Sequence, residues 1–132
     1  MPLRLDLKPH EKLFVGGAVL VNGDSRCTLT VLNDVSILRE KDILTKAEAN
    51  TPCKRIYLAI QLMYMEPSNL AHYHQVYWSL VKEVLAAAPT TTELISLISE
   101  EVLAGHYYQA LKHTSDLIVY EKELVSHASQ SA

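Results

Sequence analysis

The chain has 132 residues and a formal net charge of −3, with 48% hydrophobic and 20% charged residues. This composition is typical of a folded domain with an apolar core and excludes the disordered, collagen-like and low-complexity classes. We expect neither a signal peptide nor a membrane-spanning segment. The two cysteines, Cys27 and Cys53, can form at most one disulfide, and a small secreted scaffold usually carries more. A cytoplasmic location, with no membrane partner, is the expectation.

In the first 40 residues, apolar and polar side chains alternate with period two, which predicts short antiparallel strands. Gly16-Gly17 permits a bulge or tight bend, and Asn22-Gly23 predicts a hairpin, because both central positions of a type I′ turn need positive φ. The predicted strands are residues 3–8, 12–15, 18–21, 26–32 and 35–39. Together they would form a small antiparallel sheet or barrel.

From Thr51 onward the pattern changes to helices. Thr51-Pro52 is typical of an N-cap followed by a first-turn proline. Ser68 after Pro67 predicts a second N-cap, and Thr90 with Glu93 predicts a capping box. Gly105 predicts the end of a third helix, and a fourth follows it. The fold class is therefore α+β, with a β-strand domain at residues 1–48 and a domain of about four helices at residues 49–132.

Charge is distributed unevenly along the chain. Residues 1–55 carry nine Lys/Arg against seven Asp/Glu, a net +2, whereas residues 56–132 carry three Lys against eight Asp/Glu, a net −5. A polyanion would therefore bind the first half, although an ordinary solvated surface explains a net +2 equally well.

Motifs for catalysis are missing from the sequence. There is no phosphate-binding glycine loop, CxxC, HExxH or GxSxG. His72 and His74 are two residues apart, so on a helix they point about 200° apart and do not chelate one metal ion from one face. We expect no enzymatic activity, no metal and no cofactor.

Eight of the nine aromatic residues lie after residue 55. Aromatic residues at helical spacing form a core or, when exposed, an interface with a protein partner. The candidate partner contacts are Tyr73, Tyr77, Tyr107 and Tyr108.

Five segments carry a resemblance that extends across nearly the whole chain. They are residues 1–12, 36–43, 51–57 (TPCKRIY), 61–64 (QLMY) and 105–111 (GHYYQAL). On these segments the chain resembles the FlbT family, bacterial post-transcriptional regulators of flagellin synthesis. The resemblance implies that the ligand is the leader of a flagellin mRNA. It also implies a small regulatory partner like FlaF, which the acidic helices would contact.

Residues 1–45 also look like the carbon storage regulator CsrA, a small β-protein that binds mRNA leaders as an intertwined dimer. This second resemblance implies RNA binding between the first strand and Arg39, with Arg4, Lys8 and Lys41 as further candidate contacts. The sequence departs from that family in three places. Leu7-Lys8 stands where CsrA has paired arginines, His10 where it has a glycine, and Leu38 where it has a histidine.

Two functional hypotheses follow. In the first, the strands bind the 5′ leader of flagellin mRNA and control its translation or stability, while the helices dimerise or receive a regulatory protein. In the second, the chain is a protein-binding adaptor or chaperone of the flagellar pathway without RNA contact. Arg39 would then pair with Glu11, Glu40 or Asp42 and only complete the sheet. A homo-oligomer, most simply a dimer, is expected in either case.

Overall fold

The computed structural model describes the backbone of residues 2–131 and the side chains of residues 2–129. It divides between Ile43 and Leu44 into two compact units, a strand unit and a helical unit. The strands are β1 (Leu3–Leu7), β2 (Lys12–Val15), β3 (Ala18–Val21), β4 (Cys27–Val31) and β5 (Ile37–Arg39). The helices are α1 (Pro52–Met65), α2 (Leu70–Ala87), α3 (Thr92–Leu103) and α4 (Tyr107–Ser131). This order confirms the α+β class; the domain boundary at residue 48 stays a prediction.

The strand unit contains two antiparallel sheets. In one, β1 pairs with β4; in the other, β2 lies between β3 and β5. The alternation predicted for β1 is present, because Leu5 and Leu7 are buried while Arg4 and Asp6 are exposed. The buried apolar side chains of the unit include Leu5, Leu7, Leu13, Phe14 and Leu38. Four partly buried side chains pack against the cluster of Leu5, Leu7 and Leu13: Val15, Cys27, Val31 and Ile37.

The hairpin turn lies at a different dipeptide from the one predicted. Gly16 and Gly17 connect β2 to β3. Their φ angles of 51° and 97° suit a hairpin turn that needs two positive φ angles. The predicted Asn22-Gly23 hairpin is wrong, because β4 pairs with β1 and not with β3. The Asn22 side-chain amide instead donates to the carbonyl oxygens of Lys8 at 2.8 Å and Ser25 at 2.9 Å.

Helix α1 begins as predicted. Thr51 is its N-cap, and the Thr51 hydroxyl accepts from the Lys54 amide at 3.2 Å. The Glu121 carboxylate of α4 accepts from the Cys53 amide at 3.1 Å and from the Thr51 hydroxyl at 2.5 Å. Pro52 has no N–H, so the amides of the first three helical residues are all accounted for.

The predicted N-caps of α2 and α3 are each wrong by one residue. After Pro67 and again after Pro89 the chain first makes a 3₁₀ turn, Pro67–Asn69 and Pro89–Thr91. Ser68 and Thr90 therefore lie inside these turns, and neither α2 nor α3 has a side-chain cap.

Gly105 ends α3 as predicted. Its φ is 78°, and its amide donates to the Val102 carbonyl at 3.1 Å, while the His106 amide donates to the Glu101 carbonyl at 2.8 Å. This pair of bonds is a Schellman motif.

The helical unit has an apolar core to which all four helices contribute. Its fully buried side chains include Ile56, Ile60, Met63, Tyr77, Ile98, Val102 and Leu117. One buried polar side chain, Gln61, is satisfied by the backbone of Leu44, to which it donates at 2.9 Å and from which it accepts at 2.8 Å. Within residues 2–131, none of the helices has the length and apolar character needed to cross a lipid bilayer.

Candidate functional site

The strand unit carries a polar cleft of about 590 Å³. Its two walls are the turn between β1 and β2 and the segment that leaves β5. The lining residues are Lys8, Pro9, His10, Glu11, Arg39, Glu40 and Lys41. We call this set the cationic cleft, because it gathers Lys8, Arg39 and Lys41.

The turn that forms the first wall is fixed by its own backbone. The Lys8 amide donates to the Glu11 carboxylate at 2.9 Å, and the Glu11 amide donates to the Lys8 carbonyl at 3.1 Å. His10 has a φ of 61°, the only positive φ of a non-glycine residue in the part of the chain that the structure describes. Its amide donates to the Gly23 carbonyl at 3.0 Å, and its ring Nε2 lies 3.3 Å from the exposed Asp24 carboxylate.

Arg39 joins the two walls. The β2–β5 register places Arg39 opposite Leu13, two residues after Glu11. Its Nη2 donates to both Glu11 carboxylate oxygens at 3.2 Å and to the Asp6 carbonyl at 2.5 Å, and its Nε donates to Glu11 at 3.3 Å. The sequence left open whether Arg39 contacts RNA or pairs with a nearby carboxylate. The structure shows that it pairs with Glu11.

The same contacts set the ionisation of Glu11. The hydrogen bond from the Lys8 amide has the largest effect on the pKa of the Glu11 carboxyl and lowers it. Burial opposes this effect, and the Arg39 guanidinium lowers the pKa further, so that it lies below its ordinary value of 4.5. Glu11 is thus a carboxylate at neutral pH. Its charge is balanced by Arg39 within the cleft.

The structure brings three of the four candidate RNA contacts together. Lys8 and Lys41 are exposed and line the cleft with Arg39. Arg4 does not line the cleft; it lies on β1 opposite Thr30. Sequence reasoning missed His10 as a lining residue. The signal that could have found it is the glycine that the CsrA sequence has at this position, because glycine is favoured where φ is positive.

Counting charge by structural unit changes the earlier estimate. Residues 1–43 carry six Lys/Arg and six Asp/Glu, a net charge of zero, because Lys46, Lys54 and Arg55 belong to the helical unit. The attraction of the strand unit for an anion therefore depends on where its charges lie and not on their sum.

The candidate tyrosines of the helical unit differ in exposure. Tyr77 is fully buried and its hydroxyl lies 2.8 Å from Ser99 Oγ, so the structure places it in the core, contrary to its expected role as a partner contact. Burial raises its pKa. Tyr73 and Tyr107 are half-buried. Tyr108 is 38% exposed and has Lys112 Nζ 5.0 Å from its ring centre.

The half-buried tyrosines each have a polar partner. The Tyr73 hydroxyl donates to the Glu66 carboxylate, which raises the pKa of Tyr73. The Tyr107 hydroxyl lies 3.2 Å from His74 Nε2, and burial raises the pKa of Tyr107. Tyr73 also lines a groove of about 410 Å³ beside Val76 and Leu80.

A larger groove, of about 560 Å³, was not expected from the sequence. It is lined mainly by apolar side chains near the start of α1, the end of α2 and the second half of α4. These include Val84, Ala87, Pro89, Leu124, Val125 and Ala128. Its only sequence signal is the apolar set Leu124, Val125 and Ala128 on one side of α4, which helical periodicity alone assigns to the core.

The fold and the cleft define a small α+β protein with a cation-lined cleft on its strand unit and an apolar groove on its helical unit. The model of the family described as "Flagellar protein FlbT" matches residues 3–125. The chain belongs to the FlbT family.

Relatives with curated names support this assignment. The chain is 44% identical over 126 residues to the "Probable flagellum biosynthesis repressor protein FlbT" of Rhodopseudomonas palustris, covering 96% of this chain and 99% of that protein. It is 37% identical over 131 residues to the "Flagellum biosynthesis repressor protein FlbT" of Caulobacter vibrioides, covering 98% and 93%. No solved structure matches the chain.

Proposed function

We propose that this protein represses flagellum biosynthesis by binding the 5′ leader of a flagellin mRNA at the cationic cleft. The relatives named as repressors of flagellum biosynthesis support the regulatory role. The observation that carries the RNA proposal is the convergence of Lys8, Arg39 and Lys41 on one concave polar surface.

The chemistry of the cleft suits an unpaired RNA segment. Proteins recognise RNA mostly at single-stranded loops, through phosphate contacts that fix the register and contacts to base edges that specify the sequence. Within the described residues, the hydrogen bonds of Arg39 run through Nε and Nη2, so Nη1 is the atom that would face a ligand. Lys8 and Lys41 would contact phosphates on either side of it.

The two carboxylates of the cleft oppose phosphate binding less than freely moving carboxylates would. Glu11 is held by Arg39 and the Lys8 amide, and the Glu40 carboxylate accepts from the Lys12 amide at 3.0 Å. Both carboxylates are therefore anchored to the walls.

A salt titration of binding to a flagellin mRNA leader, with a scrambled RNA as control, tests the proposal. Each phosphate contact on a single strand contributes about 0.7 to the slope of log K against log salt. The double variant K8Q/K41Q should therefore weaken binding and lower the slope by about 1.4. K82Q/K122Q, which removes the same two positive charges from exposed positions of α2 and α4, is the matched control and should bind like the wild type.

Two further variants refine the assignment. R4Q should bind like the wild type if contact stays within the cleft. R39A removes both the RNA contact and the tie to Glu11 and Asp6, so its binding must be read together with its thermal unfolding. Equal binding by K8Q/K41Q and the wild type, or no preference for the leader over the scrambled RNA, would overturn the proposal.

The apolar groove of the helical unit favours a second candidate function, that of an adaptor which binds a FlaF-like regulatory protein. Val125 lines this groove and is 61% exposed. A V125D variant should then lose the protein partner, whereas K8Q/K41Q should keep it. Binding through this groove should change little with salt, unlike binding to phosphates.

A further inference from the structure

Strand β3 is exposed along its whole length. All four of its residues are exposed, with 65% of Val19, 43% of Leu20 and 61% of Val21 accessible. It is an edge strand, since its one neighbour in the sheet is β2. Proteins usually protect edge strands with lysines, prolines or bulges, and β3 has none of these.

The hydrogen-bond register shows which backbone groups of β3 point outward. Paired residues of β2 and β3 are Val15 with Ala18, Phe14 with Val19 and Leu13 with Leu20. The next pair beyond the strands is Glu11 with Asn22, whose amide donates to the Glu11 carbonyl at 2.9 Å.

Hydrogen-bonded and non-bonded pairs alternate along an antiparallel ladder. Leu20 and Ala18 therefore bond to β2. The N–H and C=O groups of Val19 and Val21 point away from it, to the side where β3 has no neighbouring strand among residues 2–131.

We propose that β3 is the surface on which a second copy of this chain docks, by antiparallel pairing of β3 with itself about a two-fold axis at Leu20. Val19 then faces Val21 of the second copy, and Val21 faces Val19. Each of these two pairs exchanges two N–H···O bonds. The result is a continuous six-stranded sheet made of β5, β2 and β3 from both copies.

The charge pattern favours a second copy over a different partner. Residues 13–23 contain no Asp, Glu, Lys or Arg, so no like charges meet when this segment faces itself. A two-fold interface must be self-complementary in this way, because the same patch serves both subunits. Pairing of β3 does not depend on RNA binding, so a negative result for one does not exclude the other.

The first test is the mass of the full chain in solution, by sedimentation or light scattering, for the wild type and two lysine variants. V21K places a charge on the proposed interface. V119K makes the same substitution at a helical position of nearly equal exposure, 58% against 61%, and is the matched control. The expected result is a dimer for the wild type and V119K and a monomer for V21K.

Disulfide trapping tests the register, and it applies even if V21K fails to fold. Leu20 of each copy would form a non-hydrogen-bonded pair, with Cα atoms about 4.5 Å apart, within disulfide range. On mild oxidation, L20C should give a covalent dimer beyond the wild-type background from Cys27 and Cys53. V19C should not, because Val19 lies opposite Val21.

Three outcomes would overturn the proposal. If the wild type remains monomeric, a second copy does not occupy β3, and a strand of another protein becomes the candidate partner. A dimer that V21K does not dissociate would place the interface elsewhere. Equal trapping by L20C and V19C would exclude the register centred on Leu20.

Discussion

Removing the Glu121 carboxylate should destabilise the helical unit through the start of α1, although Glu121 lies 68 residues further along the chain from Cys53. The perturbation is E121A. It removes the acceptor of the Cys53 amide and of the Thr51 hydroxyl. Because Cys53 is only 2% exposed, water does not readily replace that acceptor.

The cost follows from three contributions. A buried amide left without an acceptor costs about 1–3 kcal/mol. Loss of a negative charge at a helix N-terminus costs about 0.3–1 kcal/mol. The Thr51 hydroxyl loses its acceptor but gains access to water, since Thr51 is only half-buried. We therefore expect E121A to lower the free energy of unfolding by about 1–4 kcal/mol.

Two variants separate these contributions. E121Q keeps an amide oxygen for the Cys53 amide but loses the charge, so it should cost about half as much as E121A. T51A removes the N-cap that Lys54 uses and should cost about 1 kcal/mol. Since Thr51 and Glu121 contact each other, the cost of the double variant should differ from the sum of the two single costs by at least 0.5 kcal/mol, roughly the lower limit for residues in contact.

Urea unfolding followed by circular dichroism at the helical band measures the wild type and the four variants. If E121A costs less than about 0.5 kcal/mol, the size of an ordinary surface substitution, the assignment of Glu121 as a cap is refuted. Strict additivity of T51A and E121A would likewise show that the two groups act independently.

Three other predictions concern single residues. Burial, followed by the nearby Glu121 carboxylate, raises the pKa of Cys53 to about 12 from its ordinary 9.0. The folded state thus keeps the thiol protonated where the unfolded chain ionises. Unfolding free energy should fall by up to about 1.4 kcal/mol per pH unit between pH 9 and 12, and a C53A comparison should lack this component. Y77A should cost about 3–5 kcal/mol in urea unfolding, because Tyr77 is fully buried; a cost near zero would contradict that burial. G16A should destabilise, because Gly16 has positive φ and its added Cβ would lie 2.6 Å from Val35 Cγ2; the G16A/V35A double variant should recover part of the loss in thermal melts.

Periodicity predicted the elements well because it reports which positions are buried. The alternation of Leu3, Leu5 and Leu7 and the apolar run after Thr51 both correspond to observed elements. The turns were harder. Gly16-Gly17 and Asn22-Gly23 can both adopt positive φ, and local sequence does not choose between them. In the structure the Asn22 side chain donates to the carbonyl oxygens of Lys8 and Ser25, and the chain at Asn22-Gly23 does not form a hairpin turn.

The N-caps of α2 and α3 differ from the prediction for one shared reason. The hydroxyl residues after Pro67 and Pro89 are typical cap residues, but each proline first opens a 3₁₀ turn. At the second of these, the Thr91 and Thr92 hydroxyls donate to the carbonyls of Ala88 and Pro89 at 2.7 and 2.6 Å. They therefore act as donors within a turn and not as acceptors at a cap.

The cationic cleft was only partly predictable. The resemblance to CsrA points to Lys8, Arg39 and Lys41, and nothing in their spacing predicts that they meet. They meet because β2 pairs with β5 in a register that sets Leu13 opposite Arg39. That register also brings Glu11 to Arg39, which is why the cleft combines a fixed ion pair with two exposed lysines.

This combination limits how strongly RNA binding should depend on salt. The strand unit is neutral overall, so counterion release comes from the cleft cations alone and not from a broad positive field. Three cations contacting three phosphates of a single strand give a slope of about −2 for log K against log salt. A measured slope near −2 fits contact confined to the cleft. A slope steeper than about −4 would require at least twice as many phosphate contacts. The surface would then have to extend beyond the cleft, to Arg4, Lys12 and Arg26 or to residues of the helical unit.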